Sequence, residues 1–297
     1  MERLPRVSIG MPAFNSEANI GSTIECFLAQ TFGDFELIVS DNASIDGTRE
    51  VVERYRAVDK RVRYQRQPVN VGANPNYTHV ARLARGEFFK WSSSSDWCAP
   101  TFLEACINLL VRHEDTVVVV PRARLFEHDP SSYRDYEHDI DVLDAKPSDR
   151  LVRLMETLFL NNVMNGLIRG AALRRTRLME PFYGGDVVLM GHLALLGKFR
   201  LVDQRLFYRR MEVATSTAMQ DRLALRRHHY PQLRADSLLQ YSKLQLGWLR
   251  VVRSAPIGFS EKVRALTYVA KRCYWERHLF KDDLRGVWDY LTREVSH

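Results

Sequence analysis

The chain has 297 residues, 45% of them hydrophobic and 27% charged, which describes one large globular domain or a domain with an appendage rather than a fibrous or disordered protein. Its formal charge of +7 sits at one end: residues 220–297 hold 15 basic and 8 acidic residues, whereas residues 1–219 hold 28 of each. The charged N-terminus lacks the apolar core of a signal peptide, and no apolar run approaches the roughly 18 residues of a spanning helix, Val187–Leu196 being short and interrupted by His192.

Val7 to Met11 is a short apolar run stopped by Pro12, the pattern of a buried strand. Asn15 or Ser16 is placed to cap a helix whose Ile20, Ile24, Phe27 and Leu28 fall on one face. Leu37 to Ser40 predicts a second buried strand, followed by Asp41, Asn42, Ser44, Asp46 and Gly47. Polar groups thus stand at the carboxyl ends of two strands, where open α/β sheets bind their ligands, and the spacing predicts a site around Ala13–Asn15 and Asp41–Ser44.

The same residues carry a resemblance. Pro12-Ala13-Phe14-Asn15 with Glu17, Gln30-Thr31-Phe32, Phe35 to Val39, and Asp41 to Thr48 resemble the opening of inverting family-2 glycosyltransferases of the GT-A fold, Asn42 standing where the family usually has a second aspartate. The resemblance is strong to about Arg122 and continues in order to about Arg210. It implies an α/β, Rossmann-like fold: a mixed, mostly parallel sheet flanked by helices over residues 1–218, with a nucleotide-binding half (1–122), an acceptor half (123–218) and a basic helical C-terminal extension (219–297). It implies a cytoplasmic enzyme that moves a sugar from a UDP-, dTDP- or GDP-sugar to a saccharide or lipid-linked acceptor in cell-surface polysaccharide or glycolipid assembly. The nucleotide would lie along Pro12, Ala13, Phe14, Asn15, Glu17, Asp41, Asn42 and the loop carrying Asn70, Gly72 and Asn76. Asp41 or Asn42 would accept a hydrogen bond from the base. Without the family, Asn70–Asn76 reads as a plain turn with a helix cap.

Further along, Thr48–Tyr55 predicts a helix, Arg61–Arg66 a strand, the stretch to about Ala84 a helix, and Glu87–Trp91 a strand. That strand exits into Ser92-Ser93-Ser94-Ser95-Asp96-Trp97-Cys98-Ala99-Pro100. Here the family carries an acidic metal motif, commonly Asp-x-Asp-Asp before a proline. Counted back from Pro100, Asp96 matches the last aspartate, while Ser95 takes the position most often credited with the metal and Ser93 the first. Ser94, Ser95 and Asp96 would meet the donor sugar and diphosphate. One carboxylate among hydroxyls is a poor site for Mg²⁺ or Mn²⁺. Three readings stand open: Asp96 and the donor phosphates hold a divalent cation; basic side chains neutralise the leaving group without metal; or the fold persists without activity, as a binding or regulatory module.

Thr101–His113 predicts a helix and Thr116–Val120 a buried strand. The acidic stretch Glu127–Asp144 reads as a solvated loop, with a lid or a cation loop through His128 and His138 as alternatives. Ser148–Leu160 is helical, and Asn165 in the segment after it is placed to meet either a sugar hydroxyl or backbone groups. Gly184-Gly185-Asp186 opens a helix through Leu196; the resemblance makes Asp186 the general base, and the two glycines would let the backbone approach a ligand. As a residue type at that position, Asp186 also reads as a helix-start aspartate. Phe199–Arg209 predicts a strand whose end, Tyr208-Arg209-Arg210, matches the family's closing segment except that its histidine is missing; Arg209 or Arg210 would contact the diphosphate or stand as exposed charges. Beyond Ala218, basic helical patterns over 222–252 (broken at Pro231), 260–280 and 282–295 would pack on the domain, join two copies, or lie peripherally on the inner, anionic membrane face. No nucleic-acid motif accompanies the charge. Cys26, Cys98, Cys106 and Cys273 lack metal-ligand spacing and read as free thiols. A sugar nucleotidyltransferase is the third reading, disfavoured because Pro12–Asn15 replaces that class's Gly-rich opening.

Overall fold

Strand β1 (Val7–Ala13) is wholly buried at the centre of a parallel layer, between β2 (Phe35–Asp41) and β4 (Phe88–Trp91). The computed structural model describes residues 3–211 and 238–294. β3 (Val62–Arg66) extends the parallel layer beyond β2. On the other side β8 (Leu167–Arg169) pairs antiparallel with both β4 and β6 (Thr116–Phe126), and β6 runs parallel to β9 (Lys198–Arg210). The short β5 (Trp97–Cys98) closes the order β3-β2-β1-β4-β8-β6-β9-β5, and β7 (Tyr133–Asp135) hangs on β6.

The apolar run continues through Pro12 rather than stopping at it. Pairing of β1 with β4 ends at Gly10, whose carbonyl accepts the Ser92 N–H. The missing N–H of Pro12 therefore faces the side where no ladder bond remains, while β2 stays paired as far as Ala13 and Asp41. β6 likewise outruns its expected end at Val120: register shifts at Pro121–Arg122 and Arg122–Ala123 absorb the proline as a bulge and carry the strand to Phe126.

Alternation along the strands divides the core between the two faces of the sheet. On one face Ile9, Met11, Leu37 and Val39 pack with helices α1 (Glu17–Leu28), α2 (Thr48–Val58) and α4 (Phe102–Arg112). On the other, Ile38, Phe89, Trp91, Val118 and Val120 pack with α3 (Ala73–Arg82), α5 (Pro147–Thr157), the short α6 (Gly170–Leu173) and α7 (Gly185–Leu196).

The C-terminal helices are α8 (Gln240–Ser254), α9 (Phe259–Trp275) and α10 (His278–Glu294). Trp248, Val251 and Val252 of α8 and Ala265 and Val269 of α9 share a third core cluster with Leu151, Phe182, Val188 and Leu195. A Cβ on Gly191 would lie 2.2 Å from the Trp248 ring, so glycine is what lets α8 seat on α7. These helices thus rest on the half of the domain that carries Asp186. On α9 the small Ala265 and Val269 face inward, while Val263 and Tyr274 are exposed. The helix also ends at Trp275, not Phe280. The boundary expected near residue 218 and the break at Pro231 lie outside the described residues.

His192 on α7 is buried, and neither ring nitrogen finds a hydrogen-bond partner among the described residues. Burial, with Arg177 and Arg175 adding to it, lowers its pKa to about 4. The unfolded chain, with an ordinary histidine near 6.5, then binds a proton between about pH 6.5 and 4 that the folded chain refuses, so stability falls as pH drops through that window, by up to about 3 kcal/mol. Denaturant titrations at stepped pH are expected to show this slope in the native chain and a shallower one in His192→Leu.

Candidate active site

The two turns at the carboxyl edge of the parallel strands hold each other. Ser44 Oγ accepts the Asn15 N–H (2.9 Å) and Asn15 Oδ1 accepts the Ile45 N–H (3.0 Å). Thr48 Oγ1 accepts the Ser16 N–H (2.7 Å), Asp46 accepts the Glu17 N–H (3.1 Å), and Glu17 accepts the Gly47 N–H (2.9 Å). The start of α1 is therefore satisfied from the neighbouring turn, not by the side chains of Asn15 or Ser16 as expected. Asn15 has φ +48°, a conformation that asparagine tolerates better than most residues.

Behind these turns Asp41 is fully buried and receives the Ser44 N–H (2.8 Å), the Tyr64 hydroxyl (2.6 Å) and Arg66 (2.8 Å). Burial and Asp41 push the Tyr64 hydroxyl up to about 12, so it keeps its proton and donates. Asn42 donates to Asn70 Oδ1 (2.8 Å) and the Gly72 carbonyl (3.3 Å), and its own Oδ1 accepts the Val71 N–H (2.9 Å). The fold thus brings Pro12, Ala13, Phe14, Asn15, Asp41, Asn42, Asn70 and Gly72 to one edge. Like Asp41 and Asn42, Glu17 and Asn76 bond within the fold. Glu17 spends its carboxylate on Gly47, and Asn76 spends both amide atoms on Ser40, accepting its hydroxyl at 2.6 Å and donating to its carbonyl at 2.8 Å.

The serine turn lies beside this edge. Ser94 Oγ pairs with Ser16 Oγ (2.7 Å) and Ser95 Oγ with Ser93 Oγ (3.0 Å). Asp96 is buried, and its Oδ1 accepts the backbone N–H of Arg210 at 3.0 Å. Burial pushes its carboxyl up, while Arg209, the Arg210 N–H and Lys90 pull against that effect. Arg210 donates to the carbonyls of Ser95, Glu127 and His128 and lies over the Phe126 ring. Arg209 donates to Asn162 Oδ1 at 2.9 Å. The expected pair therefore divides, Arg210 bracing loops and Arg209 standing beside Asp96. A cleft lined by Asn19, Ser22, Ser95, His128 and Arg210 adjoins the turn.

The residues present do not fit a divalent cation. One oxygen of the single carboxylate accepts a backbone N–H, the hydroxyls pair among themselves, and the positive charge of Arg209 bears on Asp96. Among the described residues no three His, Cys, Asp or Glu side chains converge as metal ligands.

Asp186 occupies the first turn of α7 and accepts Asn161 Nδ2 at 2.8 Å. Its loop is clamped to α3: Asn74 Nδ2 donates to the carbonyls of Glu180 (2.9 Å) and Phe182 (2.7 Å), and Thr78 donates to Met179 (2.7 Å). A Cβ on Gly185 would lie 2.3 Å from the Glu180 carbonyl, and Gly184 has φ +85°. Gly185 thus fits against this clamp, and Gly184 takes a left-handed turn just before it. Tyr77, one turn further along α3, links the halves: after burial, the charges that bear on its hydroxyl are Asp96, Arg209 and Asp186.

Tyr77, Asn74 and Asn161 are not among the residues singled out from the sequence, which leaves Asn165 between a sugar hydroxyl and backbone groups. The Asn165 carbonyl accepts Lys90, a fully buried lysine set over Phe102. The available signal was the Asn161-Asn162 pair closing an amphipathic segment, whose amides reach Asp186 and Arg209 respectively.

Residues 8–181 match the model of glycosyl transferase family 2, and the chain belongs to that family. It is 33% identical over 94 residues to the GalNAc(5)-diNAcBac-PP-undecaprenol beta-1,3-glucosyltransferase of Campylobacter jejuni, covering 31% of this chain and 30% of that one. The chain spans between 16% and 52% of the length of curated relatives such as Escherichia coli chondroitin synthase and Bacillus subtilis EpsH. The fold resembles Staphylococcus aureus TarS 1-349 solved with UDP, at a TM-score of 0.65 and 16% identity, covering 91% of this chain and 72% of that chain. It also resembles the mannosyltransferase PcManGT of Pyrobaculum calidifontis, solved with GDP-Man and Mn²⁺, at a TM-score of 0.53 and 15% identity over 96% and 86%. The architecture is therefore GT-A, as the sequence resemblance implied. No helix among the described residues is long and apolar enough to cross a membrane.

Asn74→Ala removes two bonds to buried carbonyls. It is expected to cost about 1–3 kcal/mol in denaturant unfolding. Faster amide exchange is expected to concentrate at residues 179–186.

Proposed function

We propose that the protein transfers a sugar, with inversion, from a nucleoside-diphosphate sugar to a hydroxyl of a saccharide or lipid-linked acceptor. The observation that supports this reading is Asp186 at the start of α7, held by Asn161, with the charges of Asp186, Asp96 and Arg209 all bearing on the Tyr77 hydroxyl. The base and ribose would rest along Pro12–Asn15, Asp41, Asn42 and Asn70–Gly72, with the diphosphate toward Ser94, Ser95 and Arg209. Family membership and neighbours solved with UDP and with GDP-Man support a UDP-, dTDP- or GDP-linked donor.

In this reading the acceptor oxygen attacks the anomeric carbon from the face opposite the nucleotide. Its O–H proton passes to Asp186, and the C–O bond to the diphosphate breaks with its electron pair going to the leaving phosphate oxygen. Asn161 orients the carboxylate. The undecaprenol named in the Campylobacter relative supports a lipid-linked acceptor and a role in cell-surface glycan assembly. A peripheral membrane position agrees with Lys281, Leu284, Arg285 and Trp288, which share one exposed stripe of α10, beside the exposed Trp275 at the end of α9.

The test separates chemistry from binding. Asp186→Asn is expected to lower kcat by about 10²–10⁴-fold. The affinity for the nucleoside diphosphate, read by thermal shift with UDP, dTDP and GDP, is expected to stay as in the native chain. Loss of diphosphate binding in this variant would refute the base assignment.

A further inference from the structure

The glycosyltransferase reading asks what compensates the charge that builds on the leaving diphosphate. In the fold neighbour solved with Mn²⁺ a cation is present. The serine turn of this chain offers nothing comparable. Ser95 stands at the position where the family's motif supplies a carboxylate, and its hydroxyl is paired with Ser93. The one remaining carboxylate, on Asp96, is buried and bonded to the Arg210 N–H. A hard divalent cation would have to trade its hydration shell for neutral hydroxyls next to a guanidinium.

The same turn does offer a fixed positive group. β9 places two arginines in sequence at its end. Arg210 is consumed in gripping three carbonyls that tie the serine turn to the residues after β6. Arg209 points to the other side. Asn162 orients it, and its charge bears on both Asp96 and Tyr77. A guanidinium held by side chains presents a planar fork suited to phosphate oxygens, with little conformational entropy left to lose.

We propose that this site binds and expels its nucleoside diphosphate without a divalent cation, Arg209 standing beside the leaving phosphates in the cation's place. The inference rests on the glycosyltransferase reading and narrows it. Arg209 donates N–H hydrogen bonds to the phosphate oxygen that takes up the electron pair of the breaking C–O bond. It transfers no proton, the acceptor's proton having gone to Asp186.

The experiment is calorimetric titration of UDP, dTDP, GDP and their nucleosides into the purified native chain, Ser95→Asp, Arg209→Gln and Arg209→Lys, each in EDTA and in saturating Mn²⁺. The native chain is expected to bind its preferred diphosphate equally, within about threefold, in both conditions. Ser95→Asp is expected to gain about tenfold or more in Mn²⁺ alone. Arg209→Gln is expected to lose about tenfold or more for the diphosphate but not for the nucleoside, with Arg209→Lys between. Native binding that appears only with Mn²⁺ would overturn the inference and leave the glycosyltransferase reading intact. Equal loss of nucleoside and diphosphate in Arg209→Gln would mark Arg209 as structural and overturn its assignment. Diphosphate binding in neither condition would remove both readings. The native-chain comparison decides metal dependence even if Ser95→Asp fails to fold.

Discussion

A buried carboxylate that accepts the backbone N–H of a distant strand governs this site. Asp96 gives an oxygen to the Arg210 N–H, and through that bond the start of β5 is joined to the end of β9. Burying a carboxylate is costly unless donors meet it, and here a backbone N–H does so, with the positive charges of Arg209 and Lys90 near it. Arg210 in turn holds the carbonyls of Ser95, Glu127 and His128, so the serine turn, the strand end and the segment after β6 form one piece. The consequence is chemical. One oxygen of the carboxylate is committed to the protein, and beside it the turn presents a row of hydroxyls and the positive charge of Arg209.

A second constraint brings the segment that carries Asp186 to this piece. Asn74 and Thr78 of α3 hold the carbonyls of residues 179–182, so the loop that delivers Asp186 is anchored on the helix that carries Tyr77. The C-terminal helices add weight from behind, Trp248 resting on Gly191 of α7. Asp186 therefore reaches the strand ends from a helix fixed on two sides, the kind of support that a group needing sub-ångström placement requires.

Much of this was legible in the sequence where residue pattern and backbone geometry coincide. The β1–α1–β2 unit, the polar strand ends and Asp186 at a helix start all follow from apolar periodicity and from the resemblance that Pro12–Glu17 and Asp41–Thr48 carry. What was not legible depends on long-range pairing. Asn76 looked like a loop residue facing a ligand, yet Ser40, 36 positions away, takes both of its amide atoms. Glu17 looked like part of the nucleotide motif and closes a turn on Gly47. Arg209 and Arg210 are adjacent and chemically identical, and only the alternation of side chains along β9 separates the loop brace from the group beside Asp96. Asn161 closes an amphipathic segment, yet nothing local names its partner, Asp186, 25 residues on.

The most direct measurement is a crystal structure of the protein with the nucleoside diphosphate that binds it best. The base is expected against Pro12–Asn15 and Asn42, and the phosphates between the serine turn and Arg209, within reach of the space in front of Asp186. A nucleotide seated instead in the cleft between α1 and His128, with Arg209 and Asp186 untouched, would contradict this placement.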